Sequence, residues 1–289
     1  MLHLVPPFTG ARGAALIQTT DNRLDTAFAR LRREGEAALV TYITAGDPWP
    51  SAEQTAGLVV DLAEAGADVI ELGLPYSDPQ ADGPSIQAAS QRALDAGVNP
   101  PFVLDVVGRV RQRSGTPIVV MTYYNPVLRY GLRRFAHDAS EAGVDGVILT
   151  DLPPEEADAW LEAADAVNMA TIFLLAPTST DDRIAAVAAK MRRGFVYCVS
   201  RTGVTGARRD VPVELSALVE RIRSAASLPV CVGFGITTPE HVAAVSAISD
   251  GAVIGSALVD FLHNNAQNPN VGVELKSKVT AWKAATCRS

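Results

Sequence analysis

Lysine and histidine are scarce in this chain, with four of each among 289 residues. Lys190, Lys276, Lys278 and Lys283 all fall in segments of helical or C-terminal character. A Schiff-base mechanism needs a desolvated lysine in the pocket, so that route is disfavoured. His3, His137, His241 and His263 lie in the N-terminal tail or in helical segments. None shares a strand end with a second ligand, as a catalytic metal centre would require. Cysteine is limited to Cys198, Cys231 and Cys287, with no C-x-x-C spacing. The first two sit in apolar strand-like runs, where cysteine behaves as a small core residue. An odd, unframed set of thiols fits a reducing cytosol. No run approaches the roughly 18 apolar residues that span a bilayer, and residues 1–18 contain no signal-peptide apolar region. The expectation is a soluble, cytoplasmic protein. Positive charge is also short, with 25 Lys and Arg against 32 Asp and Glu. The resulting net charge of −7 argues against a nucleic-acid or anionic membrane surface. No G-x-G-x-x-G follows the first strand, and no G-x-S-x-G nucleophile elbow occurs.

The chain does have a repeating alternation. Residues 1–20 lack periodicity and read as a loose extension, with 21–289 as one catalytic domain. Short apolar runs at 38–45, 68–75, 117–124, 146–151, 170–176, 195–200, 229–235 and 252–255 read as strands. Helical patterns lie between them near 51–65, 101–114, 131–142, 155–167, 181–192, 213–226 and 238–248. Two more follow, near 256–264 and 271–285, and an extra short helix is expected over 85–96 after strand 2. Eight strands alternating with helices predict a single α/β domain, a (β/α)₈ TIM barrel. A doubly wound sheet uses the same alternation. The signature residues, however, spread over the ends of strands 2, 6, 7 and 8, which suits a barrel mouth.

With lysine and metal chemistry set aside, the mouth retains carboxylates and the hydroxyls of Tyr42, Tyr123, Tyr124 and Tyr197. Glu71 lies inside an apolar strand, where a carboxylate is costly unless paired, protonated or used. It reads either as a proton shuttle, its pKa raised by burial, or as a structural carboxylate paired with Arg201. Asp82, eleven residues on, opens the extra helix and reads as a second catalytic carboxylate or as a helix cap. Asp78 and Asp151, each close before a proline, read as turn formers.

Gly233, Phe234 and Gly235 end strand 7, and Gly255 and Ser256 follow strand 8. Loops at these two strand ends commonly hold a phosphate on backbone N–H groups. The competing reading is tight strand-to-helix turns. Ser200-Arg-Thr-Gly-Val-Thr-Gly206 reads as a lid or as an ordinary surface loop.

These segments resemble the tryptophan synthase alpha chain family over residues 24 to 285. The most specific stretches are Glu71-Leu-Gly-Leu-Pro-Tyr-Ser-Asp-Pro-Gln-Ala-Asp-Gly-Pro-Ser-Ile-Gln87 and the 200–206 loop, supported by Thr44-Ala-Gly-Asp-Pro48, Tyr124-Asn-Pro126, Asp151-Leu-Pro153, Gly233-Phe-Gly-Ile236 and Gly255-Ser256. The resemblance implies retro-aldol cleavage of indole-3-glycerol phosphate to indole and glyceraldehyde 3-phosphate, without metal or Schiff base. It implies Glu71 as general acid–base, Asp82 as acceptor of the indole N–H, and Tyr197 as support for Glu71. Arg201 and Thr205 would belong to the lid, with Thr205 meeting Asp82 on closure. Gly206, Gly233, Gly235, Gly255 and Ser256 would cradle the phosphate, and Tyr42, Tyr123, Leu149 and Phe234 would line the indole pocket. It further implies a beta-chain partner in an alpha2-beta2 heterotetramer, docked through Asp78, Pro79, Asn125 and Pro153. Pyridoxal phosphate would belong to that partner, with no cofactor in this chain. Gln80 departs from the apolar residue usual at its place in the docking loop.

Rival readings are a sugar-phosphate isomerase barrel, a free-standing indole-producing lyase and a catalytically dead regulatory subunit. The first needs a carboxylate near the end of strand 5, where Leu175-Ala-Pro177 offers none. The last conflicts with intact Glu71, Asp82 and phosphate glycines.

Overall fold

A computed structural model describes residues 22–199, 213–233 and 235–288. The strands are β1 (Ala38–Thr44), β2 (Val69–Gly73), β3 (Ile118–Thr122), β4 (Gly146–Leu149), β5 (Ala170–Ile172, resumed as Leu174–Leu175), β6 (Val196–Val199), β7 (Val230–Gly233) and β8 (Gly251–Ile254). All pairings between these strands are parallel, and each strand lies beside its successor in sequence. β8 pairs back onto β1 through Ala38 and Gly251. The first piece of β5 pairs with β4 and the second with β6, and the Tyr197 N–H donates to the Phe173 carbonyl between them at 3.0 Å. The sheet therefore closes into a TIM barrel, as the alternation predicts.

The pleat sorts side chains into two layers. Val40, Val69, Val119, Ile148, Ile172 and Cys231 point into the barrel and pack together. Their neighbours Leu39, Ile70, Val120, Val147 and Val232 face the surrounding helices. Both faces are covered, so the strands carry no polar alternation. Glu71 and Gly73 lie two and four residues after Val69, and the pleat aims both inward.

The surrounding helices include α2 (Ala52–Glu64), α3 (Pro84–Asp95), α4 (Pro100–Arg111), α5 (Tyr124–Tyr130), α6 (Leu132–Ala142), α7 (Asp158–Asp165), α8 (Asp181–Lys190), α9 (Val213–Ala225), α10 (Pro239–Ser246), α11 (Ser256–Asn264) and α12 (Val271–Ala284). α3 is the expected extra helix after strand 2. Among the described residues two helices lie outside the predicted alternation, α5 and an N-terminal helix α1 (Arg23–Glu34). α1 closes the end of the barrel away from the mouth. Its Leu24, Phe28 and Leu31 join the inward cluster, with the Phe28 and Phe195 rings 5.7 Å apart. Asn22 caps α1 by accepting the Leu24 N–H at 2.9 Å, while its side-chain amide donates to the Asp145 and Asn168 carbonyls at 2.8 and 3.0 Å. No described helix is long and apolar enough to cross a membrane. The extension assigned to residues 1–20 lies outside the described residues.

Candidate active site

At the C-terminal ends of the strands, the pleat that hides apolar side chains lower in the barrel presents polar ones. Tyr42 on β1 stands in register with Glu71 on β2. Glu71 is 0% exposed, and neither carboxylate oxygen has a hydrogen-bond partner among the described residues. Burial alone pushes its pKa up to about 8, so the group is held as a neutral acid at neutral pH. No arginine pairs with it among the described residues. Arg201, the candidate partner, lies outside them.

Two tyrosines occupy space that glycines leave open. A Cβ on Gly73 would strike the Tyr42 Oη, and a Cβ on Gly233 would strike the Tyr197 Oη. The first pair bridges β1 and β2 and the second bridges β6 and β7, so two phenols lie across the mouth over side-chain-free strand ends. The Tyr42 Oη also meets Thr44 Oγ1 at 3.1 Å. Burial raises the Tyr197 phenol well above its ordinary value, with the Glu71 carboxylate adding to the effect. Burial likewise raises Tyr42, with Asp82 and then Glu71 adding smaller effects. Both phenols therefore stay protonated donors, within reach of both carboxylates' fields.

Asp82 does not cap α3. That place falls to Gly83, which makes no side-chain cap bond, followed by Pro84. The Asp82 Oδ2 instead accepts a hydrogen bond from the Tyr123 hydroxyl at 3.0 Å, and the Ala81 N–H donates to the same hydroxyl at 2.9 Å. One phenol thus holds the loop backbone and the carboxylate together. Burial pushes the Asp82 pKa up to about 6, against the lowering effect of the Tyr123 bond. Asp82 is ionised at neutral pH where Glu71 is protonated. This divergence suits a division of acid and base roles.

Other predicted residues fall as follows. Gly233 ends β7, and Gly235 takes a left-handed φ of 52° that favours glycine. Gly255 precedes α11 as its N-cap without a side-chain cap bond, and Ser256 begins the helix. A Cβ on Gly255 would sit 3.7 Å from Ile86 Cδ1 and 3.8 Å from Tyr42 Cβ, which places this turn against the mouth. Gly206, Phe234, Arg201 and Thr205 lie outside the described residues. Leu149 requires correction as an indole-pocket residue. It follows the inward Ile148, so the pleat turns it outward into the helix-facing core with Val147 and Leu152. Met121, Ile148 and Leu174 are the apolar residues that β3, β4 and β5 aim inward instead. A period-2 count along each strand, anchored on Glu71 and its register, finds them.

The residues expected at a partner contact lie on the rim. Asp78 and Asn125 are exposed, Pro79 and Pro153 half-buried. Gln80 is exposed and its amide donates to Asp78 Oδ2 at 3.1 Å. Asn125 donates to Tyr76 Oη at 3.3 Å, and the Tyr76 ring lies 5.0 Å from that of Tyr123. Leu128 is 50% exposed on α5, one turn from Asn125, and sequence reasoning did not name it because α5 was not expected. Asp151 does more than form a turn, since its Oδ1 accepts the Tyr124 N–H at the start of α5 at 2.7 Å. Among the described residues, no three His, Cys, Asp or Glu side chains are grouped to hold a metal.

The geometry can be set beside known proteins. Residues 28–286 match the family model described as tryptophan synthase alpha chain. The chain belongs to the tryptophan synthase alpha chain family. The alpha chain of Geobacter sulfurreducens is 53% identical over 264 residues, covering 91% of this chain and 98% of its own length. That of a Thermoanaerobacter strain is 44% identical over 262 residues, covering 91% and 98%. Among solved structures, the alpha subunit from Legionella pneumophila superposes with a TM-score of 0.84 at 36% identity, covering 92% of this chain and 98% of that one. A tryptophan synthase structure from Mycobacterium tuberculosis gives 0.84 at 38% identity, covering 93% and 99%. Membership makes this chain a carbon–carbon lyase that serves as an alpha subunit in tryptophan biosynthesis.

Proposed function

We propose that the barrel mouth cleaves indole-3-glycerol phosphate with Glu71 as proton shuttle and Asp82 as its ionised counterpart. The observation that carries this is the fully buried Glu71 carboxyl, without a hydrogen-bond partner among the described residues, in the same mouth as an Asp82 that Tyr123 holds ready. Neutral Glu71 delivers its proton to C3 of the indole ring. Asp82 accepts the indole N–H and stabilises the positive charge that then spreads over the ring. The bond from C3 to the hydroxyl-bearing glycerol carbon breaks, and its electron pair returns to the ring. The glycerol hydroxyl gives up its proton to the Glu71 carboxylate as the aldehyde forms, which restores neutral Glu71. Protons balance, and no external acid is consumed.

Tyr197 and Tyr42 remain protonated donors beside Glu71, and Met121, Ile148 and Leu174 provide apolar wall for a flat ring. Gly233, Gly235, Gly255 and Ser256 form the phosphate seat, joined by Gly206 in the family pattern. Arg201 and Thr205 act in a lid that excludes water.

The partner is a tryptophan synthase beta chain in an alpha2-beta2 assembly, docked on the rim of Asp78, Pro79, Asn125 and Pro153. Pyridoxal phosphate resides in that partner and this chain works without a cofactor, in the cytoplasm. The free-standing lyase is not favoured, because the relatives named above are alpha chains of a synthase. The test is indole release from indole-3-glycerol phosphate with a beta chain added and omitted. Indole release that rises strongly with the partner supports the reading, and full turnover without it overturns the assembly.

A further inference from the structure

The loop bearing Asp82 runs straight into α3, and Gly255 and Ser256 open α11. The two helices are joined directly. Ser85 Oγ on α3 donates to Asp260 Oδ2 on α11 at 2.9 Å. Ile86 of α3 rests on the open face of Gly255, with its Cδ1 3.7 Å from where a Cβ would stand. Ala89 of α3, Val259 of α11 and Tyr42 of β1 form a small buried cluster, with Ile86 and Met121 packed on it.

The far end of α3 is fixed independently. Arg92 Nε and a terminal guanidinium nitrogen donate to the two Asp47 oxygens at 2.6 and 2.9 Å. Asp47 lies buried in the loop after β1. Among the described residues the near end has no such ion pair with the barrel, and its Ile86 makes apolar contact there instead. Gly83 supplies no side-chain cap, and the Gln87 amide ties the turn only to its own loop, donating to the Asp82 and Pro79 carbonyls at 2.8 and 3.4 Å. The first turn of α3 therefore takes its place from the polar bond to α11, from the packing of Ile86 on the Tyr42 cluster and, through its loop, from Tyr123.

We propose that Ser85 and Asp260 are a positioning pair that couples the phosphate seat to Asp82. The inference rests on the assignment of Gly255 and Ser256 to phosphate and of Asp82 to the indole N–H. An anion on the N-terminus of α11 fixes that helix. Asp260, one turn further along, passes the constraint to Ser85, three residues from Asp82. Binding energy from the unreacting end of the substrate is then spent on orienting the group at the reacting end.

The test is steady-state indole release by the full chain with its beta partner present, comparing wild type, Ser85→Ala, Asp260→Ala, the double variant and Asp260→Asn. Each alanine variant should lose about 3- to 10-fold in kcat, the scale of one hydrogen bond to a charged acceptor. KM should move much less. The double variant should fall no further than the singles, because both remove one interaction. Asp260→Asn keeps an acceptor oxygen and should recover most of the wild-type kcat. Wild-type kcat in both single variants, losses confined to KM, or losses that multiply in the double would overturn the coupling alone. Absence of indole release from the wild type overturns the functional assignment beneath it.

Discussion

At the residue scale, the site turns on Glu71 being kept where an ionised carboxylate is least stable. Its folded pKa of about 8 lies well above its ordinary value of 4.5. The folded state thus binds more protons than the unfolded chain between those two values, and stability falls as pH rises through that window. The loss approaches about 1.4 kcal/mol per pH unit for one group. Glu71→Gln removes that liability. The variant should lose indole formation while becoming more stable than wild type, with a gap that widens from pH 5 to pH 8 in urea unfolding. A variant with near-normal turnover would remove Glu71 from the mechanism. The proposed mechanism requires Asp82 ionised and Glu71 protonated, so kcat/KM should rise through about pH 6 and fall through about pH 8. Tyr123→Phe removes the donor that lowers the Asp82 pKa. Its acid limb should move to higher pH, and an unmoved limb would show that Tyr123 does not tune Asp82.

At the scale of elements, an aspartate just before each of three strands serves the neighbouring strand. Asp68 accepts the Leu39 N–H at 3.0 Å, Asp145 the Ile118 N–H at 2.8 Å, and Asp250 the Val230 N–H at 3.0 Å. Each also pairs with cations from surrounding helices or the C-terminal segment: Asp68 with Arg30 and Lys283, Asp145 with Arg23 and Arg111, Asp250 with Arg223 and Arg288. These clusters tie helices to the end of the barrel opposite the chemistry. Asp145→Ala leaves the Arg111 guanidinium, already lowered to about 10 by burial, without its carboxylate. It should cost about 3 kcal/mol in denaturant unfolding while sparing kcat in the folded fraction. A loss of kcat without loss of stability would contradict this division between the two ends. The strands were legible in sequence because burial on both faces writes unbroken apolar runs. Which face a residue takes was legible only by counting outward from Glu71, and Leu149 shows the cost of a one-residue slip. Helix α1 is amphipathic, with Leu24, Ala27, Phe28 and Leu31 buried, yet it precedes the first strand and stands outside the βα repeat. The Ser85–Asp260 bond joins residues 175 apart, and no local pattern announces it.

For the whole molecule, the fold spends one end of the barrel on ion-paired stability and leaves the other for the proposed chemistry and docking. The rim beside Asp82 carries exposed Leu128 and Asn125 on α5, and Tyr123, which holds Asp82, immediately precedes α5. Under the proposed docking, a partner on Asn125 would sit two residues from the Tyr123–Asp82 hydrogen bond, a direct route by which it could alter turnover. Leu128→Asp should weaken binding of the beta chain and reduce the activation it confers, leaving indole release by the isolated chain near its unassisted level. Binding unchanged in a pull-down or by calorimetry would place the interface elsewhere. The proton-shuttle role of Glu71 is tested most simply by the pH profile of indole release from indole-3-glycerol phosphate, for wild type and Glu71→Gln, in the presence of a beta chain. The wild type should give a bell with limbs near pH 6 and 8, and the variant no measurable turnover at any pH. A Glu71→Gln variant that retains the wild-type bell would contradict that role.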